Sequence, residues 1–199
     1  PDRRAPTLTA ALVNDSGTSA SDGLTRDASL SGQASDAAGV TRLLAALDPA
    51  GTPSLGDLSD LSSALQPDGR FVLTPALLDT LAGGPLADGT HRVHLVATDA
   101  AGNASAPVDL AFTLDTAPPA LASFTLDPAS DTGTLGDRET SADMATLLGQ
   151  SEPGTTVSLT GSGLATTADA SGAFRFADLP LALGDNAFAI VLSDFAGNT

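Results

Sequence analysis

The chain has 199 residues, 42% of them hydrophobic, with 20 Gly and 13 Pro. This composition is too apolar for a disordered chain and too rich in turn residues for a helical bundle, so it indicates an all-β protein of about two domains. The net charge of -16 disfavours nucleic acid and membrane surfaces as partners, and the lack of Cys, Trp and Tyr excludes disulfides, thiolate metal sites and most aromatic glycan platforms.

The first part of the chain begins with a linker and short segments bounded by turns. Asp2 stands three residues before an Ala-Pro step, which cannot continue the interior of a sheet. An Asn-Asp-Ser-Gly loop follows at residues 14–17, then Asp-Gly-Leu-Thr at 22–25 and Gly-Gln at 32–33. Asp shortly before Gly often forms a turn through its own backbone bonds, so Asp15 is either a turn residue or a metal ligand.

One short helix is predicted in a connection between strands. Leu58, Leu61 and Leu65 have helical spacing within an insertion at residues 55–65. Residues 74–84 start with Thr and Pro, which suit an N-cap and a first helical turn, and end with two Gly. We therefore expect a helix near residue 78.

The clearest strand covers the first residues of the segment 93–103 (VHLVATDAAGN). Val93, Leu95 and Ala97 alternate with period two and are predicted to point inward. Asp99 then begins an Ala-Gly-Asn turn, as a loop cap or as a metal ligand.

The sequence contains no recognisable catalytic motif. His91 and His94 are three residues apart on this strand, so they point to opposite faces, cannot bind one metal together, and are expected at the surface. No Gly-x-Ser-x-Gly elbow accompanies the Ser, His and Asp residues. Nothing indicates a cleft in which paired carboxylates could act on a glycan. We expect no enzymatic activity.

The second part of the chain repeats the first in the same order. Residues 188–198 (FAIVLSDFAGN) align with 93–103 without a gap, and Asp2 through Pro6 pairs with Asp115 through Pro119. Short strands with turns at this spacing, repeated twice, predict tandem β-sandwiches at residues 1–115 and 116–199. Residues after Asn103 continue through an alternating Phe-Thr-Leu strand that has no counterpart after Asn198, so the second sandwich is expected to lack its last strand in this chain.

These segments resemble the bacterial Ig-like repeats of large secreted adhesins and biofilm-associated surface proteins. The resemblance is carried by residues 112–119 (FTLDTAPP), the Ser-Asp-Thr-Gly loop at 130–133, residues 149–154 (GQSEPG) and Asp-x-Ala-Gly-Asn at Asp99 and Asp194. It implies two tandem immunoglobulin-like β-sandwiches, an extracellular or cell-surface location, neighbouring Ig-like repeats as partners, and calcium near the junctions. A host or surface ligand would then bind elsewhere in the protein.

The topology of such a sandwich predicts a metal site independently of the family. Loops at one end of the first sandwich would carry four carboxylates, and loops at the facing end of the second would carry two carboxylates and an amide. Carboxylates at close range repel one another unless a cation intervenes, and Ca²⁺ suits a site made only of oxygen ligands. The predicted calcium ligands are Asp15, Asp22, Asp88, Asp115, Glu152, Asp194 and Asn198.

Three functions are compatible with the sequence. The first is a structural extender of a bacterial cell-surface adhesin, a calcium-rigidified stalk for cell adhesion or biofilm formation. The second is an Ig-like module that binds a peptide or glycan through a loop face enlarged by residues 55–84, and an exposed apolar patch or a pocket there would favour it. The third is a pair of accessory domains in a large secreted enzyme.

Overall fold

The computed structural model describes residues 2–199 and is almost entirely β. The chain divides into two compact units, domain one up to Thr116 and domain two from Ala117 to Thr199. Each unit contains two packed sheets, as expected for β-sandwiches. The predicted all-β, Ig-like class is confirmed.

Domain one has eight strands and one α-helix among its described residues. Its elements in chain order are β1 (Thr7–Leu12), β2 (Leu24–Thr25), β3 (Leu30–Ser35), β4 (Val40–Leu47), β5 (Ser59–Asp60), β6 (Arg70–Leu73), α1 (Pro75–Ala82), β7 (Gly89–Asp99) and β8 (Val108–Leu114). One sheet has the order β1-β3-β6 and the other the order β2-β8-β7-β4-β5. The connection at residues 55–65 forms two 3₁₀ turns around β5 rather than an α-helix.

The core of domain one lies between these two sheets. Val93, Leu95 and Ala97 on β7 are all 0% exposed, which confirms the predicted inward positions. Phe71 on β6 and Phe112 on β8 contribute to this core from the two different sheets.

Helix α1 forms where the sequence predicts it. Thr74 is the N-cap and its side-chain oxygen accepts a hydrogen bond from Leu77 N, while Pro75 occupies the first turn. Gly83 ends the helix in the left-handed conformation, with φ of 77°. Leu78, which is fully buried, anchors the helix to the core of domain one.

Domain two has six strands among residues 117–199. They are β9 (Leu121–Leu126), β10 (Met144–Ser151), β11 (Thr156–Leu159), β12 (Leu164–Thr167), β13 (Ala173–Pro180) and β14 (Ile190–Ser193). Their sheets have the orders β13-β10-β9 and β12-β11-β14. Within these residues β14 pairs only with β11, so one of its edges has no neighbouring strand. Its inward residues Ile190 and Leu192 are only half-buried.

The two histidines correct one sequence-based expectation, because they are not surface side chains. His94 is 3% exposed, and its Nδ1 lies 2.9 Å from an Asp109 carboxylate oxygen. The His91 side chain is 11% exposed and lies between Asp48 and Ala87. Nearby carboxylates make the burial of imidazole rings possible, and alternation alone does not reveal these partners.

Candidate cation site

The loop after β7 is closed by the carboxylate of its first residue. Asp99 Oδ1 accepts hydrogen bonds from Ala101 N and Asn103 N, both at 2.8 Å, and Oδ2 accepts from Asn103 Nδ2 at 2.7 Å. Asp99 is 3% exposed. The loop therefore holds a carboxylate in a fixed position at the end of the sheet, because both of its oxygens are bound by its own turn.

Two further carboxylates converge on Asp99. Asp36 lies in the turn between β3 and β4, and Asp2 precedes β1, so all three residues lie at the same end of domain one. One carboxylate oxygen from each of Asp2, Asp36 and Asp99 lies within 4.8 Å of the others. Among the described residues, this is the only group of three or more acidic or histidine side chains that approach so closely.

The donor set of this cluster fits a hard cation. Asp36 Oδ1 accepts a hydrogen bond from Ala38 N and Asp2 Oδ1 accepts one from Arg4 N, so both side chains are oriented by their own backbone. The side-chain hydrogen bond from Asn103 is the largest influence that lowers the pKa of Asp99. Carboxylates at this range repel one another in the absence of a cation. Asp2 Oδ1, Asp36 Oδ1 and Asp99 Oδ2 each accept one hydrogen bond, which leaves a lone pair on each of these atoms. Oxygen ligands alone suit Ca²⁺ better than Zn²⁺.

Domain two repeats the loop geometry but not the whole cluster. Asp194 Oδ1 accepts from Asn198 N and Oδ2 accepts from Asn198 Nδ2, each at 2.9 Å. Glu152 is exposed, and its Oε1 accepts from Ala120 N at 3.1 Å. The predicted ligands Asp194 and Asn198 therefore lie in one closed loop of domain two.

The four carboxylates predicted to meet in domain one do not form a cluster as tight as Asp2, Asp36 and Asp99. Asp88 Oδ1 accepts two hydrogen bonds from Thr116, through N and Oγ1, each at 2.9 Å. Asp22 Oδ1 accepts from Leu24 N at 3.0 Å, and Asp115 N donates to Thr25 O at 2.9 Å. The metal-binding role of Asp15 and these three residues stays a prediction.

Asp15 and its repeat partner Asp131 share an unusual feature. Asp15 Oδ2 accepts from Gly23 N at 3.2 Å, and Asp131 Oδ2 accepts from Gly136 N at 2.7 Å. The Oδ1 atom of each residue is buried without a hydrogen-bond partner among the described residues. A cleft of about 640 Å³ lies beside Asp15. Buried carboxylate oxygens without partners are uncommon in folded proteins, so both positions are compatible with a cation ligand.

Sequence reasoning missed Asp2 and Asp36. In domain two, the sandwich topology brings the loops after β10 and β14 to the end that carries the N-terminal linker, and Glu152 and Asp194 were selected on this basis. In domain one, the same topology brings the loops after β3 and β7 to the N-terminal linker and selects Asp2, Asp36 and Asp99. The signal was therefore in the sequence.

A match to a family model identifies the class of protein. Residues 3–116 match the family model of the bacterial Ig-like domain. The chain belongs to the bacterial Ig-like domain family, which confirms the family resemblance found in the sequence. No curated protein matches the sequence. No helix among the described residues is long and apolar enough to cross a membrane.

The solved structures that the chain matches include two adhesins. A tetra-tandem repeat in the extending region of a large adhesion protein is 21% identical, with a TM-score of 0.36, over 98% of this chain and 47% of that one. A 1.5-MDa bacterial ice-binding adhesin is 15% identical, with a TM-score of 0.36, over 99% of this chain and 62% of that one. Dimeric latent PorU from Porphyromonas gingivalis is 17% identical, with a TM-score of 0.40, over 98% of this chain and 19% of that one. The chain thus spans about half of the first structure.

Proposed function

We propose that this chain is an extender segment of a bacterial cell-surface adhesin, in which Ca²⁺ stiffens the ends of the sandwiches. The observation that carries the proposal is the convergence of Asp2, Asp36 and Asp99 within 4.8 Å at one end of domain one. The segment would act extracellularly in cell adhesion or biofilm formation, next to further Ig-like repeats. It would itself have no catalytic role.

The cluster lies at the end of domain one where the chain enters β1, so a bound ion there would stiffen the entry of the chain into the domain. Asp2 belongs to the residues that lead into β1, whereas Asp36 and Asp99 belong to turns anchored in the two sheets. A cation bound by all three would fix the leading segment to the body of domain one. Asp194 aligns with Asp99 in the sequence repeat, so we extend the proposal to the loop of Asp194 and Asn198 in domain two.

Calcium is the cation that fits an extracellular stalk. Extracellular calcium modules bind with dissociation constants of about 10⁻⁴ to 10⁻³ M, so the ion would bind after secretion. A site occupied at 100 times its dissociation constant raises the free energy of unfolding by about 2.7 kcal/mol. That gain is a large part of the stability of a small domain.

The test is a thermal melt of the whole chain in millimolar Ca²⁺, in Mg²⁺ and in chelator. We expect Ca²⁺ to raise the unfolding midpoint of domain one and the substitution Asp36→Asn to reduce this rise. Asp68→Asn is the matched control, because Asp68 Oδ1 accepts from Arg70 N just as Asp36 Oδ1 accepts from Ala38 N, but Asp68 lies outside the cluster. An unchanged midpoint of the unsubstituted chain in all three buffers would overturn the calcium proposal.

A further inference from the structure

Thr116 is the residue at which the chain leaves domain one, and a carboxylate binds it there. Its backbone N and its Oγ1 both donate to Asp88 Oδ1, each at 2.9 Å. Asp88 lies directly before β7, at the end of the connection that follows α1. How firmly the chain is held at Thr116 therefore depends on how firmly Asp88 itself is placed.

Strand β7 alone does not fix Asp88. The pairing of β7 with β8 begins at Gly89, one residue further along the chain. Gly89 has φ of 136°, and a glycine lets the backbone rotate more freely than another residue would. On the other side, Leu86 N donates to Asp79 Oδ1 at 2.8 Å, which ties the connection to α1 two residues before Asp88. Between these two points, the peptide group that joins Ala87 to Asp88 needs a support of its own.

His91 supplies this support. Its Nε2 lies 2.8 Å from Ala87 O. The Ala87 carbonyl and the Asp88 N–H belong to one planar peptide unit, so a hydrogen bond to the carbonyl orients the backbone from which the Asp88 side chain projects. The imidazole thereby helps to place the carboxylate that binds Thr116.

The hydrogen bond to Ala87 requires a proton on each ring nitrogen of His91. Nδ1 lies 2.7 Å from Asp48 Oδ2, and this carboxylate and the Ala87 carbonyl are both acceptors. A neutral ring keeps one proton, and the charged acceptor binds it more strongly, so Nε2 then faces Ala87 O without a donor. Burial lowers the pKa of His91, but its two hydrogen bonds outweigh burial and raise the pKa above 6.5. The bond to Ala87 is therefore present at acidic pH and is lost as the pH rises through this pKa.

Asp48 is the charged group that faces the imidazole and acts on its titration. From β8, the ring of Phe112 lies 5.7 Å away and carries no charge. The other charged side chains of the surrounding elements bind elsewhere: Asp79 binds Leu86 N, Asp88 binds Thr116, and Arg92 binds Pro49 O, Gly51 O and Asp109.

We propose that protonation of His91 controls how firmly the chain is held at Thr116, so that domain one has a pH-responsive joint at the point where the chain leaves it. At acidic pH the imidazole holds Ala87, Asp88 is placed, and the joint is closed. At alkaline pH the support of Ala87 is lost, and Thr116 is held less firmly. The inference depends neither on calcium nor on the proposed stalk function.

The experiment measures by NMR how fast the amide proton of Thr116 exchanges with solvent, in the whole chain and in chelator, at about pH 5.5 and about pH 8.5. Exchange is expressed relative to an unstructured peptide of the same sequence at the same pH, which removes the intrinsic effect of pH. We expect the protection of Thr116 to be about fivefold lower at the higher pH, as for the loss of one hydrogen bond. The amide of Asp115, which donates to Thr25 O at 2.9 Å, is the internal reference and should keep its protection.

Two variants separate the titration from its transmission. His91→Gln removes the titrating ring, so the protection of Thr116 should be low and equal at both pH values. Asp88→Ala removes the acceptor of Thr116, so protection should again be low at both pH values while the His91 ring still titrates. Asp88 is exposed, so this variant tests the inference even if His91→Gln unfolds domain one.

His94→Gln is the matched control. His94 lies on the same strand, but its Nδ1 faces Asp109 and it has no contact with the connection before β7. This variant should keep the pH dependence of Thr116. The joint is refuted if the protection of Thr116 does not change with pH, if the change survives His91→Gln, or if Asp115 changes to the same extent.

Discussion

The imidazole of His91 connects three segments of domain one. Its Nδ1 lies 2.7 Å from Asp48 Oδ2 and its Nε2 lies 2.8 Å from Ala87 O. Both partners are acceptors, so the ring satisfies both contacts only when both nitrogens carry a proton. The Arg92 backbone N donates to the other oxygen of Asp48, and the Phe112 ring lies 5.7 Å from the imidazole.

This arrangement makes the stability of domain one depend on pH. Burial, the largest influence, lowers the pKa of His91, but the hydrogen bonds to Asp48 and Ala87 together raise it above its ordinary value of 6.5. A raised pKa means that the stabilisation is complete below pH 6.5 and is lost as the pH rises through the folded-state pKa. We expect a loss of about 1 kcal/mol in the free energy of unfolding of domain one.

Denaturant unfolding at a series of pH values measures this loss. His91→Gln should flatten the dependence above pH 6. Both histidines lie in domain one, so the transition of domain two in the same samples should not change over this range. A pH dependence that survives His91→Gln would contradict the assignment.

In both domains, a glycine on one strand lies opposite a phenylalanine on the neighbouring strand. A Cβ added at Gly149 on β10 would lie inside the van der Waals distance of the Phe174 ring, and one at Gly32 on β3 would collide with the Phe71 ring and with Thr9 O. The glycine therefore leaves room for an aromatic ring to lie across the strand. Side-chain alternation predicts the buried Phe but not this requirement.

We expect Gly149→Ala to lower the free energy of unfolding of domain two by about 1 to 3 kcal/mol, because the methyl group overpacks the core. Phe174→Leu should partly rescue it, since the three atoms nearest to the added Cβ all belong to the Phe174 ring. Gly32→Ala should not be rescued to the same extent by Phe71→Leu, because the Thr9 carbonyl remains. Double-mutant cycles in denaturant measure both couplings.

Helix α1 shows how local sequence signals act at the scale of an element. Gly83 has φ of 77° at the C-cap, and no atom lies within 4 Å of a Cβ placed there. Gly83→Ala should therefore lower the free energy of unfolding of domain one by about 1 kcal/mol through backbone strain alone. Gly56→Ala is the control, because Gly56 has no positive φ and Ser54 Oγ is its nearest contact, at 3.8 Å. Equal effects of the two substitutions would argue against the strain.

Elements with strong local signals could be predicted from the sequence. The N-cap, Pro and Gly around Leu78 correctly predict α1, and the alternation of Val93, Leu95 and Ala97 correctly predicts β7. Leu58 and Leu61 have helical spacing but lie in a connection of 3₁₀ turns around β5, because a strand beside β4 takes part of the segment. The Asp2–Asp36–Asp99 cluster was missed because the sandwich topology that brings these turns together was used to select ligands at this end of domain two but not of domain one.

At the scale of the whole molecule, the two domains differ in how deeply the strand before the Asp-x-Ala-Gly-Asn loop is buried. Val93, Leu95 and Ala97 on β7 are 0% exposed, whereas the matching residues Ile190 and Leu192 on β14 are only half-buried. The amide protons of β14 should therefore exchange with solvent well before those of residues 93–97. Hydrogen exchange on the intact chain measures this order, and equal protection of β7 and β14 would contradict it.

The unpaired edge of β14 also affects how this chain behaves in concentrated solution. Its free N–H and C=O groups can form a ladder with any extended peptide, including β14 of another copy, and Val191 on this strand is 49% exposed. The net charge of -16 opposes such encounters at low ionic strength, and added salt weakens that repulsion. Self-association would therefore grow with both protein concentration and salt, and the charge that keeps single chains apart would also delay aggregation through this edge.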